Sequence, residues 1–154
     1  MKERTLVIIK PDAINRAIVG EIIHRFEAKG LKIVGMKLSH ISEKDLELHY
    51  AHHKGKKFFP GLIKYMRSAP SLLLVLEGKS VVNVVRKLAG PTYGVEAEAG
   101  TIRGDFSMSM QNTIIHASDS VAKVEEEINR FFKPNELFDY NRIDFDYIYS
   151  EEER

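Results

Sequence analysis

The sequence contains no cysteine and no tryptophan. The first absence excludes disulfides, thiolate metal sites and cysteine nucleophiles together. An excess of charge of one sign is also missing. With 23 basic side chains against 22 acidic ones, the formal net charge is +1, so binding to nucleic acid would need a local patch rather than an overall field. No apolar run approaches the roughly 20 residues of a membrane-spanning helix. The opening M-K-E-R lacks the apolar core of a signal peptide. A cytoplasmic protein with no membrane partner is expected. What is present suits a globular domain: 154 residues, 44% apolar and 29% charged, enough to close one core. The prediction is a single domain over residues 1–154. Many Lys and Glu residues without Cys or Trp are compatible with a heat-adapted source.

Residues 5–9 form a continuous apolar, β-branched run, the pattern of a strand buried on both faces, and Lys10-Pro11-Asp12 stops it. Lys10 at the mouth of that strand either snorkels to water or presents a point charge to a ligand. Residues 20–29 carry Ile22, Ile23 and Phe26 at helical spacing, with Gly30 as the stop. A second strand over 31–39 is predicted to put Ile33 and Gly35 on one face, Val34 and Met36 on the other. A helical stretch then runs from Glu43 to about His53, followed by a short helix over 62–67.

His49, His52 and His53 have the i, i+3 and i+4 spacing of a helical cluster. A solvated face is the first reading, a phosphate-facing cluster the second. A zinc site comes last, because the Glu of H-E-x-x-H is missing and Lys54, Lys56 and Lys57 would repel the cation. Phe58 and Phe59 are adjacent, so one is easily buried and the other is a rim aromatic or a stacking surface for a flat base. Residues 71–77 read as a third strand, followed by G-K-S and a helix to Leu88. The P-loop pattern fails there because Leu73 stands where its first glycine is required. Arg86 borders that helix's buried stripe, as a snorkelling surface residue or as one reaching into a cleft. Residues 90–104, with Gly90, Gly94, Gly100 and Gly104, read as a long ordered loop of the kind that is usually functional; it carries Thr92 and Arg103.

Residues 112–120, N-T-I-I-H-A-S-D-S, hold His116 where a strand over 113–117 meets a helix over 119–132. Read alone, this is a half-buried strand histidine satisfied by Ser118 or Asp119. The sharper reading is a nucleophile on rigid elements, with helix N–H groups leaving room for an anion. Glu125 and Glu127 lie on opposite borders of the helix's buried stripe, and either could fix the imidazole tautomer. From about residue 133 a tail rich in Phe and Tyr is predicted to pack along the body or on a neighbouring subunit. The order of elements gives an α+β fold of the ferredoxin-like βαββαβ kind, a four-stranded antiparallel sheet covered by helices on one face.

Lys10-Pro11-Asp12, F-F-P-G-L at 58–62, G-T-I-R-G-D-F at 100–106 and I-I-H-A-S-D-S at 114–120 together resemble nucleoside diphosphate kinase, in register over nearly the whole chain. The resemblance implies ping-pong transfer of a γ-phosphoryl group from ATP or another nucleoside triphosphate to a histidine, then to a nucleoside diphosphate such as GDP. It implies Mg²⁺ on the nucleotide phosphates, with no protein metal ligands, and a homo-oligomer, in the family a hexamer. His116 is similar to the phosphorylated nucleophile, and Ser118 and Glu127 to the residues that orient it. Lys10, Tyr50, His53, Arg86, Thr92 and Arg103 match positions that contact phosphate or sugar, and Phe58 the base-stacking aromatic. Such chemistry needs mainly positioning and positive charge, which Lys10, Arg86 and Arg103 supply along with the Thr92 hydroxyl.

The sequence departs from the family pattern at two places. Thr113 stands where the family has an asparagine on the ribose, and Asn112 lies one residue earlier. Because one step along a strand reverses a side chain, either Thr113 takes over the contact or a bulge presents Asn112. The loop after Thr92 reads T-Y-G rather than T-N-P. The alternative function is an RNA-recognition module of the same βαββαβ order, since Arg103-Gly104-Asp105-Phe106 mimics part of its signature; the central strands lack its paired aromatics.

Overall fold

β1 (Glu3–Ile9) is buried without interruption from Thr5 to Ile9. Alternation sends Leu6 and Ile8 to one face and Val7 and Ile9 to the other, so both faces need cover. In the computed structural model, which describes residues 3–154, β1 pairs antiparallel with β3 (Ser71–Gly78) and with the short β4 (Ile115–Ala117). The strand β2 (Lys32–Ser39) completes the sheet beside β3, giving the order β2-β3-β1-β4.

Helices cover both faces, not one as the sequence suggested. On the first face, Ile22 and Phe26 of α2 (Val19–Ala28) and Val81 and Val85 of α5 (Val81–Ala89) pack with Val7, Ile9, Leu74 and Leu76. On the second, α3 (Glu43–His49), α4 (Phe59–Met66) and α7 (Val121–Phe131) bring Leu46, Met66, Val124 and Ile128 against Leu6, Ile8, Leu73 and Val75. Burying each such aliphatic side chain contributes about 1.5–3 kcal/mol before conformational entropy is counted. The physical reason for the correction lies in β1 and β3 themselves. Strands apolar on every residue cannot leave a face in water.

Other boundaries moved for local reasons. The helix predicted to reach His53 ends at His49, and residues Ala51–His53 tighten into a 3₁₀ turn closed by His53 N–H on the Tyr50 carbonyl at 2.8 Å. The K-P-D segment opens a short helix, α1 (Pro11–Asn15), because proline at its first turn suits a position with no N–H to satisfy. A bulge between Ile33 and Gly35 breaks the predicted alternation in β2. Val34 joins the second-face core, and a Cβ on Gly35 would press on Phe132 and Leu137 of that same side. The long loop contains α6 (Ile102–Phe106), capped by the Thr101 hydroxyl on Gly104 N–H.

The tail lies along the body. Phe138 N–H donates to the Val34 carbonyl at 2.8 Å, Arg142 donates to the carbonyls of Gly30 and Leu31, and Ile148 of α8 (Phe145–Ile148) sits against Gly30. No helix among the described residues is long and apolar enough to cross a membrane.

Candidate active site

β4 sets His116 opposite Ile8 in the ladder, so its ring emerges on the face covered by α3 and α7. It lines a cleft of about 890 Å³, a volume suited to a small-molecule ligand. Behind the ring, Nε2 lies 3.4 Å from Glu127 Oε1, and the Ser118 hydroxyl donates to the other oxygen of that carboxylate. Ser118 and Glu127 are both buried. Glu127, not Glu125, is therefore the carboxylate that meets the histidine; Glu125 is exposed.

Charge converges from separate segments. Lys10 is buried and donates from Nζ to Thr113 Oγ1 at 2.8 Å. Arg103, also buried, donates from Nε to the Thr113 carbonyl (3.1 Å), from Nη1 to Gly90 (2.8 Å) and from Nη2 to Ile115 (2.7 Å). It thus clamps the end of α5 to both sides of Ile114, the residue that precedes β4. Arg86 and Thr92 line the cleft from its exposed rim. Burial and the neighbouring Arg103 push the Lys10 ammonium down to about 8, with Asp12 opposing. Burial and Arg86 bring Arg103 down to about 10.

Burial also lowers the His116 pKa, against the pull of Glu127 and with the help of Lys10 and Arg103. The imidazole is neutral at pH 7 and its nitrogen lone pair is available. For Glu127, burial acts to raise the carboxyl, but the contacts with His116 and Ser118 outweigh it and hold it below its usual value.

A row of rings leads from His116 to the rim. His49 stands edge-on to His116 with centroids 4.3 Å apart, Tyr50 follows at 4.7 Å, His53 stacks on Tyr50 at 6.2 Å, and Phe58 meets His53 at 5.0 Å. Phe58 is 47% exposed while Phe59 packs on the core. The solvated-face reading of the histidine cluster is corrected for His49, which is buried beside the cleft; His52 is exposed and His53 half-buried. On the inward stripe of α3 His49 follows buried Leu46 by three residues, and that i, i+3 relation was the available signal. Burial, then His116 and Arg130, push His49 down to about 2.

Thr113 points into the cleft and Asn112 is exposed outside its lining. No bulge presents Asn112. Instead Ile114 takes a left-handed φ of 69°, which shortens the predicted strand to Ile115–Ala117.

His49, His116 and Glu127 each bring one donor atom to within 4.8 Å of the others. Lys10, Arg103 and Arg130 line the same cleft, and their charge opposes a resident cation there. Nor is there the cage of free oxygen ligands that a hard cation prefers, since Glu127 is already engaged. Both faces of the central strands β1 and β3 lie under helices, so those strands offer no open surface on which RNA bases could stack, and the RNA-recognition alternative has no support.

The profile of the nucleoside diphosphate kinase family matches residues 3–137. The chain belongs to the nucleoside diphosphate kinase family. It is 55% identical over 141 residues to the nucleoside diphosphate kinase of Thermococcus kodakarensis, covering 90% of this chain and 81% of that one. With nucleoside diphosphate kinase B of Bos taurus the identity is 50% over 147 residues, covering 96% of this chain and 97% of that one. Among solved structures, a halophilic nucleoside diphosphate kinase from Halobacterium salinarum in complex with CDP superposes with a TM-score of 0.94 at 40% identity, covering 97% of this chain and 99% of that one. Within this kinase family scaffold, the sequence had offered His49 only as one of a histidine cluster and Asp12 only as part of the K-P-D segment, and it gave Tyr65 no role. Asp12 and Tyr65 are joined by a hydrogen bond from the tyrosine hydroxyl to the carboxylate, across 53 residues of chain that no local pattern connects.

Proposed function

We propose that the chain is a nucleoside diphosphate kinase in which His116 carries the phosphoryl group between nucleotides. The observation that carries this reading is the neutral imidazole of His116, backed by Glu127 at 3.4 Å and facing a cleft lined by Lys10, Arg86 and Arg103. Glu127 engages Nε2, so Nδ1 is the nucleophilic nitrogen. Nδ1 attacks the γ-phosphorus of a nucleoside triphosphate such as ATP, an N–P bond forms, the bridging P–O bond breaks and the nucleoside diphosphate leaves with the electron pair. A second diphosphate, GDP for example, then attacks phosphohistidine from the same side and restores the free imidazole.

Glu127 stabilises the positive charge that the ring develops during attack, and Ser118 fixes the carboxylate. Lys10 and Arg103 hold the migrating group, with Arg86 and Thr92 on the leaving phosphates. Tyr50 and His53 line the path to the base, and Phe58 gives it a stacking face. Stacking is available to every base, so broad acceptance of GDP, CDP and UDP follows. Thr113 takes the sugar-side contact together with Lys10, and Asn112 does not. Mg²⁺ travels with the nucleotide and neutralises phosphate charge when bound.

The whole chain works as one domain, tail included, in the cytoplasm. Exposed Met36 and Leu38 on the edge strand β2, with Met108 and Met110 beyond α6, support a homo-oligomer, and the family resemblance favours a hexamer. Incubation with γ-labelled ATP and Mg²⁺ tests the reading: an acid-labile, base-stable protein phosphate should form, discharge to GDP, and vanish in His116→Ala. Labelling that survives this substitution refutes it.

A further inference from the structure

Ile114 is fully buried and has a φ of 69°, a conformation that β-branched residues rarely adopt. Ile115 N–H donates to the Thr113 carbonyl at 2.7 Å, closing a γ-turn of the rare, positive-φ hand. Backbone states of this kind persist only where the surroundings over-determine them. Here both polar groups of Ile114 are held by the K-P-D segment. Its N–H donates to Asp12 Oδ2 at 3.0 Å, and its carbonyl accepts from Lys10 N–H at 2.8 Å. The Tyr65 hydroxyl donates to the other oxygen of Asp12, and Arg103 holds the flanking carbonyls of Thr113 and Ile115. The turn is what directs Thr113 to Lys10 Nζ and starts the strand that carries His116.

We propose that Asp12, oriented by Tyr65, is a positioning residue for phosphoryl transfer, holding the strained turn at Ile114 so that Lys10, Thr113 and His116 stay in one constellation. The inference rests on the reading of His116 as the phosphorylated nucleophile. Asp12 is not among the residues lining the cleft, and it acts through the Ile114 N–H. Once that bond is lost, Ile114 relaxes toward extended backbone, which reverses the neighbouring side chain and takes Thr113 away from Lys10.

Single-turnover phosphorylation from ATP, KM for the nucleotide and thermal midpoint are measured at 25 °C or by calorimetry for Asp12→Ala, Asp12→Asn, Tyr65→Phe and Asp12→Ala with Ile114→Gly. Asp12→Ala is expected to lose about 10–100-fold in transfer rate, the scale set by ångström-level misplacement, with KM changing less than about fivefold. Asp12→Asn keeps an acceptor for the Ile114 N–H and recovers most of the rate, and Tyr65→Phe shows a smaller loss than Asp12→Ala. Glycine carries no penalty at positive φ. Adding Ile114→Gly to Asp12→Ala therefore raises the rate while lowering the thermal midpoint through loss of a buried side chain, a divergence that a purely structural role does not produce. An Asp12→Ala enzyme as fast as the unaltered protein, or a loss that Ile114→Gly leaves untouched, overturns the inference. Failure of the unaltered protein to form phosphohistidine strikes the His116 reading instead.

Discussion

The Glu127 carboxylate approaches His116 Nε2 to 3.4 Å while accepting the Ser118 hydroxyl on its other oxygen. One buried carboxylate therefore fixes both the direction of the imidazole and the tautomer that attacks. Glu127→Gln keeps the size and removes the charge that offsets developing imidazolium. Phosphorylation by ATP should slow by about 10–100-fold with little change in KM, measured by rapid quench. An unchanged rate would falsify the assigned role.

The pH profile carries the same relationship. Burial, Lys10 and Arg103 depress the His116 pKa while Glu127 raises it. Only the neutral ring attacks, so the transfer rate should be flat through neutral pH and fall on the acid side, with a midpoint below 6.5. In Glu127→Gln the opposing pull is gone and the midpoint moves lower still. A midpoint that moves upward in this variant contradicts the electrostatic account.

Lys10 makes a prediction on the alkaline side. Its ammonium is pushed down to about 8 in the nucleotide-free protein, and only the protonated form attracts phosphate. Calorimetric affinity for a nucleoside diphosphate should weaken between pH 7 and pH 9, and Lys10→Ala should bind weakly with that dependence much reduced.

His49 bears on stability rather than chemistry. Its folded pKa of about 2 lies below the usual value of 6.5, so the folded state resists a proton that the unfolded chain accepts. The stability it confers is complete above pH 6.5 and is lost as pH falls toward 2, by about 1.4 kcal/mol per pH unit at most. His49→Phe should flatten the decline of the thermal midpoint between pH 6.5 and 4.5. An identical decline in both proteins would rule this out.

Phe58 is a rim residue with little to lose in the core. Phe58→Ala should weaken nucleotide binding by about 1–3 kcal/mol for guanine, cytosine and uracil nucleotides alike, with the thermal midpoint nearly unmoved. A loss confined to one base would mean that recognition is not stacking.

Much of this was legible in the chain itself. The uninterrupted apolar residues of β1 and β3 dictated buried central strands, helical spacing in α2 and α7 marked their inward faces, and the K-P-D, F-F-P-G-L and I-I-H-A-S-D-S segments carried the resemblance to the kinase family. These are local signals, repeating every two or about 3.6 residues or contained in a few consecutive positions. Tertiary structure alone decided that helices cover both faces, that His49 is buried against His116, and that Thr113 rather than Asn112 enters the cleft. The last of these depends on contacts from Lys10 and Asp12 to Thr113 and Ile114, 103 and 102 residues away. A left-handed isoleucine contradicts its own local preference. It exists only because distant hydrogen bonds hold it, and no periodicity in the sequence records a bond of that kind.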